Sequence, residues 1–288
     1  MNVHQKAHQI HRGGRVALLW LVTMSAASAP ADSSSVRTDH VRATLVSEVA
    51  RVAPNASFWI GLRFEIKPGW HTYWQNPGDS GLAASIDWEL PEGIVAGEIL
   101  WPIPGRFATG HLMNYGYADE VVLLTRMSAW PPIGARGDVV IAANARWLVC
   151  EKICIMEEGR LETRLPVAVD APVPDSDARA LIDQYARMLP EHAEGHARFD
   201  ATSTDIRLRV PLPQSWPSGA TDVWFYPEEF GIIDHAARQK VVSGDGELEL
   251  TLARGELKDN PLRNLRGVLV LRYADGNARG LSVDASPS

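Results

Sequence analysis

The sequence predicts an all-β protein: a larger β module, a short helix, then a second, smaller β-sandwich-like module. Three observations carry this expectation. Short runs rich in β-branched and aromatic residues alternate with turn signals over most of the chain. One segment alone has both helical start and stop signals. The length of 288 residues accommodates two domains of roughly 100–200 residues each.

Residues 1–31 read as an export signal. Lys6, Arg12 and Arg15 form a basic start, Val16 to Met24 an apolar run, and Ala27-Ser28-Ala29 or Ala29-Pro30-Ala31 a small-residue cleavage site. The alternative is a membrane anchor, but the run falls well short of the ~20 apolar residues that a spanning helix needs. An oxidising compartment follows, the periplasm in a Gram-negative host, where disulfides persist.

The first module spans 33–168. Val41–Val49, Ser57–Ile66, Ser85–Leu90, Val121–Met127, Val139–Trp147 and Arg160–Val167 are its expected strands. Lys67-Pro68-Gly69, Asn76-Pro77-Gly78-Asp79, Pro91-Glu92-Gly93 and Pro131-Pro132-Ile133-Gly134 separate them as breakers. Seven of the ten tryptophans lie in this module, which places the larger aromatic core there.

A linker with a short helix occupies 170–195. Asp175 or Ser176 can cap the helix, because a side-chain oxygen accepts from a free backbone N–H. Pro190 stops it after Leu189, and Leu181, Tyr185, Met188 and Leu189 share one face. The second β module covers 197–285. Ile206–Val210, Asp222–Tyr226, Gly231–Ala236, Glu247–Leu252 and Val268–Tyr273 are its expected strands, with a hairpin turn at Ser243-Gly244-Asp245-Gly246. Strand count suits two sandwiches in tandem.

Charge narrows the function. Removing residues 1–31 takes away three basic and no acidic residues, so the formal charge moves from −7 to −10. An acidic chain is poorly suited to nucleic acid or anionic membranes. The sequence has no phosphate loop, dinucleotide fingerprint or serine-nucleophile elbow. No cofactor is expected.

The two cysteines, Cys150 and Cys154, lie four residues apart. In an extended chain their Cα atoms would be on the order of 13 Å apart, whereas a disulfide needs no more than ~7 Å. If they pair, the chain must turn, and a hairpin with Glu151, Lys152 and Ile153 as its loop is the simplest solution. A structural staple is one reading, although closing about five residues stabilises by only roughly 2 kcal/mol. A redox-active pair is the second. Lys152 would favour a thiolate and Glu151 oppose it. Copper(I) binding is the third, with Met156, His71, His111 and Met113 as further soft or imidazole donors in the same module.

Around the cysteines the chain resembles the N-terminal periplasmic domain of the DsbD family of protein-disulfide reductases, in particular the branch linked with copper-sensitivity suppression. The resemblance rests on Gly69-Trp70-His71-Thr72-Tyr73-Trp74-Gln75-Asn76-Pro77-Gly78-Asp79-Ser80-Gly81, Ile86-Asp87-Trp88-Glu89-Leu90-Pro91-Glu92-Gly93 and Leu100-Trp101-Pro102. Asn114-Tyr115-Gly116-Tyr117 and Trp147-Leu148-Val149-Cys150 with Cys154 and Glu157-Glu158 complete it. Order and spacing hold over residues 35–168.

The resemblance implies an immunoglobulin-like sandwich with a redox pair at Cys150 and Cys154. It implies electrons received from a membrane-embedded thiol donor and passed to periplasmic thioredoxin-like or disulfide isomerase proteins. It also implies a cap over the cysteines. Tyr115, Gly116 and Tyr117 look like that cap, and Trp70, His71 and Tyr73 like the aromatic segment beside it. His71 is either a nearby proton acceptor or a structural histidine. Two features depart from the family pattern. Met156 stands where proline is common, which bears on the local turn. The sequence to Ser288 has neither a transmembrane bundle nor a thioredoxin-like domain, which reads as a stand-alone relay, a truncated product or half of a split system.

Overall fold

The computed structural model describes residues 1, 32–33, 35–131, 133, 137–192, 195–244, 246–257 and 261–288. The expected export signal lies outside the described residues. Strands dominate, as expected of an all-β chain. In order the first group comprises β1 (Asp32–Ser33), β2 (Ser35–Arg37), β3 (Val41–Ser47), β4 (Val49–Arg51), β5 (Ser57–Ile66), β6 (His71–Gly78) and β7 (Ser85–Glu89). It continues with β8 (Ile94–Leu100), β9 (Gly105–Thr109), β10 (Leu112–Ala118), β11 (Glu120–Ala129), β12 (Asp138–Cys150) and β13 (Cys154–Pro166).

These strands build an immunoglobulin-like sandwich. One sheet runs β1-β13-β12-β6-β10-β9, with β7 also on β12; the other runs β2-β3-β5-β11-β8. Alternation makes the sandwich. Along β12, Val139, Ile141, Ala143, Ala145, Trp147 and Val149 all point inward, the period of two expected of a strand with a buried face. They meet Leu45, Ile60, Leu62 and Phe64 from the opposite sheet in one core. Phe64 and Trp147 touch across it, ring centroids 5.0 Å apart.

The helical segment follows. β14 (Val173–Pro174) pairs with β4, and α1 covers Ser176–Ala186 with Asp175 as its N-cap. The Asp175 carboxylate accepts from the backbone N–H of Ala178 at 3.1 Å, as the capping argument requires. The helix ends three residues before the expected limit at Leu189. Ile182 and Tyr185 are its buried contacts, while Met188 is exposed.

The remaining strands are β15 (Glu191–His192), β16 (Arg198–Ala201), β17 (Asp205–Pro211), β18 (Asp222–Pro227), β19 (Lys240–Ser243), β20 (Glu247–Ala253), β21 (Leu265–Arg272) and β22 (Ala278–Pro287). They form a sheet in the order β18-β21-β22-β16-β17-β20-β19, with β15 on β22. Phe199, Ile206, Leu208, Phe225, Leu250, Leu269 and Leu281 fill its core.

Several strand expectations need correction. The stretch Gly231–Ala236 is irregular: Gly231 has φ 74°, and Ile233 makes only an isolated bridge to Arg254. Asp234 turns the chain there by accepting from the N–H groups of Ala236 and Ala237. In the other direction, β6 extends through Pro77 and ends only at Gly78, inside the stretch assigned to a breaker, with a register shift in its partner strand and the turn beginning at Asp79. Arg160–Val167 is only the second half of a strand that begins at Cys154.

The two strand groups also share a core. Trp224, Tyr226, Val268 and Val270 of the C-terminal sheet pack into the sandwich's own hydrophobic cluster. Arg106 pairs with Asp222 at 2.7 Å, with its guanidinium 4.2 Å from the Trp224 ring centroid. Arg272 donates to the Pro104 carbonyl at 2.7 Å.

Candidate functional site

The β12–β13 ladder runs without a break from Asp138↔Pro166 to Cys150↔Cys154. The cysteines are its last rung, with Glu151, Lys152 and Ile153 as an exposed loop. Their Cα atoms are 4.2 Å apart, and the sulfurs are bonded. That separation is close to the ~4.5 Å of an antiparallel non-hydrogen-bonded pair, so the sheet itself holds the two side chains at bonding distance. The hairpin expected from the spacing is the one observed.

The two sulfurs are not equivalent. Cys150 is 4% exposed, whereas Cys154 is exposed. β12 is an interior strand, bordered by β13 on one side and by β6 and β7 on the other. Among the described residues, β13 has an outer neighbour only at Thr163 and Arg164. Its Cys154 end is therefore a free edge. Ile153 and Met156 are exposed beside it, 66% and 50%, and they give the outer sulfur an apolar rim.

β6 supplies the groups behind the pair. The backbone of His71 pairs with that of Cys150, and the Tyr73 hydroxyl lies 3.3 Å from the Cys154 Sγ. The His71 ring stacks on Phe107, centroids 4.6 Å apart and nearly parallel, and meets Tyr73 edge-on at 5.3 Å. Its Nε2 is buried without a hydrogen-bond partner. Burial lowers the His71 pKa and raises that of Tyr73, because each charged form would lose its water. The imidazole is thus held neutral and the phenol protonated.

One face below the disulfide, Glu157 anchors the hairpin. Its buried carboxylate accepts from Thr38 Oγ1 at 2.5 Å and Trp147 Nε1 at 3.1 Å, and pairs with His40 Nδ1 at 2.7 Å. Trp70, expected beside the cysteines, packs at a tilt on His40, ring centroids 3.9 Å apart. It belongs to this anchor.

β10 carries the expected cap residues. Gly116 pairs with Tyr73 and Tyr117 with Thr72, so both lie one strand from the site. A Cβ on Gly116 would meet the Thr72 carbonyl oxygen at 1.8 Å, which is why glycine stands there. The Tyr115 hydroxyl turns to the C-terminal sheet, where it accepts from Trp224 Nε1 at 3.4 Å and lies 3.2 Å from His235 Nδ1. Tyr117 donates to the Pro102 carbonyl at 2.7 Å. The ring packed on His71 is that of Phe107, on β9. Sequence reasoning did not single it out, although Gly105-Arg106-Phe107-Ala108-Thr109 before the Gly110 turn has the pattern of a hairpin strand. His111 is exposed and His71 buried. No cluster of three or more His, Cys, Asp or Glu side chains placed to hold a metal ion occurs among the described residues.

Comparison with known proteins agrees with this geometry. Residues 42–166 match the family described as thiol:disulfide interchange protein DsbD, N-terminal. The N-terminal periplasmic domain of ScsB from Proteus mirabilis superposes with a TM-score of 0.64 at 16% identity, over 90% of this chain and 100% of that one. Both strand groups therefore recur in a solved fold. A protein of unknown function from Porphyromonas gingivalis W83 aligns at a TM-score of 0.24 and 10% identity, over 90% of this chain and 100% of its own, and bears no argument. Comparison with curated proteins gives no match.

Proposed function

We propose, from the premise that residues 42–166 form a DsbD N-terminal-like domain, that Cys150 and Cys154 relay reducing equivalents between proteins. A membrane-embedded thiol donor supplies them, and periplasmic thioredoxin-like or disulfide isomerase proteins receive them. Residues 1–31 direct export, 33–168 carry the exchange chemistry, 170–195 link, and 197–285 support. No helix among the described residues is long and apolar enough to cross a membrane. The observation that carries the reading is the asymmetry of the pair: one sulfur open to a partner, its mate buried behind it.

The steps follow from that asymmetry. A donor thiolate attacks the exposed Cys154 Sγ. The Cys150–Cys154 bond breaks, and Cys150 leaves as a thiolate that takes up a proton. A mixed disulfide joins Cys154 to the donor. The donor's second thiolate then attacks its own sulfur in that bond and releases Cys154. Once the released Cys154 thiolate also takes up a proton, two electrons and two protons have entered the chain. Delivery runs in reverse: the Cys154 thiolate attacks an acceptor disulfide, and Cys150 resolves the mixed disulfide by re-forming its bond to Cys154. His71, whose backbone pairs with that of Cys150, serves as a structural histidine, its neutral ring packed on Phe107. Tyr73, with Phe107 and His71 behind it, shields the inner side of the bond from stray thiols and oxidants.

Trapping tests the relay. Cys150→Ser leaves the exposed thiol without its resolving partner and should accumulate a mixed disulfide with a thioredoxin-fold protein in periplasmic extracts. Cys154→Ser, which leaves only the buried thiol, should give far less. The same faint yield from both variants would contradict the proposal.

A further inference from the structure

The exchange chemistry makes no use of the Asn76-Pro77-Gly78-Asp79-Ser80-Gly81 string, the end of β6 and the loop that follows it, yet this stretch is tied down at nearly every residue. The Asn76 amide, 2% exposed, donates to the Pro227 carbonyl of the C-terminal sheet at 2.8 Å, and its oxygen accepts from the Gly78 N–H. Asp79 exchanges two bonds with the Met113 backbone, its N–H donating at 2.9 Å and its carboxylate accepting at 2.6 Å. Ser80 donates through its N–H and its hydroxyl to the buried Asn114 side-chain oxygen, at 3.2 and 3.0 Å.

All of this brings Gly81 down on a ring. Gly81 has φ +117°, and a Cβ built there would lie 2.2 Å from Tyr73 Cε1 and 2.5 Å from Cδ1 and Cζ. Only glycine permits that contact with that backbone. The ring also meets His71 edge-on. The ring is 1% exposed, and its hydroxyl lies 3.3 Å from Cys154 Sγ.

We propose that the Asn76–Gly81 loop, anchored on the C-terminal sheet, is a positioning device that fixes the Tyr73 hydroxyl on the sulfur of Cys154. Asn76, Ser80, Gly81 and Asn114 are its positioning residues, and Tyr73 is the group that acts. This rests on the exchange reading above and deepens it. In the reduced protein the hydroxyl donates to the Cys154 thiolate, and a hydrogen bond to a charged acceptor stabilises the charged form. Cys154 then ionises at a lower pH than it would without the clamp. Because burial keeps the phenol protonated, it remains a donor while the thiol titrates. The other titratable groups around the pair are Glu151 and Lys152 in the loop, His71 across β6, and Glu157 with His40 below. All of them stay in place in the variants that test the idea.

The test is the pH profile of Cys154 alkylation by iodoacetamide in the full chain carrying Cys150→Ser. Tyr73→Phe should raise the apparent thiol pKa by about one unit, which slows alkylation at neutral pH about tenfold. Gly81→Ala and Asn114→Ala should raise it in the same direction while the circular dichroism of the fold is retained. Adding either to Tyr73→Phe should change nothing further, since no hydroxyl is left to misplace. Ser80→Ala is the mildest variant and removes one bond of the clamp; it should give a smaller rise, and it serves if Gly81→Ala does not fold. An unshifted profile in Tyr73→Phe overturns the proposal. So does a shift in Tyr73→Phe that the loop variants fail to reproduce, or one to which they simply add. Alkylation needs no partner protein, so its outcome is separate from success or failure in trapping a mixed disulfide.

Discussion

At the residue scale, the asymmetry of two chemically identical side chains decides the mechanism. The four-residue spacing was enough to predict a hairpin pair. It could not say which sulfur faces out, because that depends on β12 being interior and β13 being an edge, which is settled by β6 and β7 from distant sequence. Tyr73 and His71 were legible through the aromatic string at Trp70–Trp74, but the roles of Trp70 and Phe107 were not. Trp70 lies one residue from His71 in sequence, yet its ring packs on His40 while that of His71 packs on Phe107. The histidines make a further residue-scale prediction. Burial lowers the pKa of His71. Burial also lowers that of His235, against the opposing pull of Asp79, Asp234 and Glu256. An imidazole held neutral in the fold binds its proton more readily in the unfolded chain. Its contribution is therefore fully present above the ordinary value of ~6.5 and is lost as pH falls through and below it. The urea midpoint should drop between pH 7.5 and pH 5.5, and His71→Phe, which keeps the stack on Phe107, should reduce the drop. A midpoint that rises on acidification would contradict this assignment.

At the element scale, the long β12–β13 ladder holds the cysteines in register, and Glu157 pins it to the β2–β3 turn through Thr38 and His40. Removing that carboxylate leaves His40 and Trp147 without their acceptor, while Thr38 keeps the Val41 carbonyl. Buried donors that lose a charged partner cost about 1–3 kcal/mol. Glu157→Ala should therefore lower the unfolding free energy by about 2–3 kcal/mol in chemical denaturation, and a loss below the resolution of that measurement would show that the anchor carries no load. Elements with clean alternation, such as Ser57–Ile66, were legible to the residue. β6 was hidden by Pro77 and Gly78, which read as a turn on local propensity. The strand survives there because the Asn76 amide and the partner strand β10 satisfy the backbone from the side. Gly231–Ala236 failed the other way: its apolar residues suit a strand, but Gly231 and the Asp234 turn bend it so that His235 reaches Tyr115.

At the scale of the whole molecule, the sequence suggested two modules with two cores, and the structure joins them. Tyr115, Trp224, Tyr226 and His235 meet in one aromatic contact, and Asn76 reaches across to Pro227. Nothing in local pattern reveals such a contact, since its partners lie more than a hundred residues apart and each would be buried in either arrangement. The C-terminal sheet thereby backs β6 and β10, the strands that stand behind the disulfide. The central claim is that this disulfide exchanges rather than staples, and its reduction potential, measured by equilibration of the full chain with glutathione buffers, tests it most directly. A relay pair should fall within the range of catalytic disulfides, about −120 to −270 mV. A value below about −300 mV, the domain of structural disulfides in secreted proteins, would contradict the account.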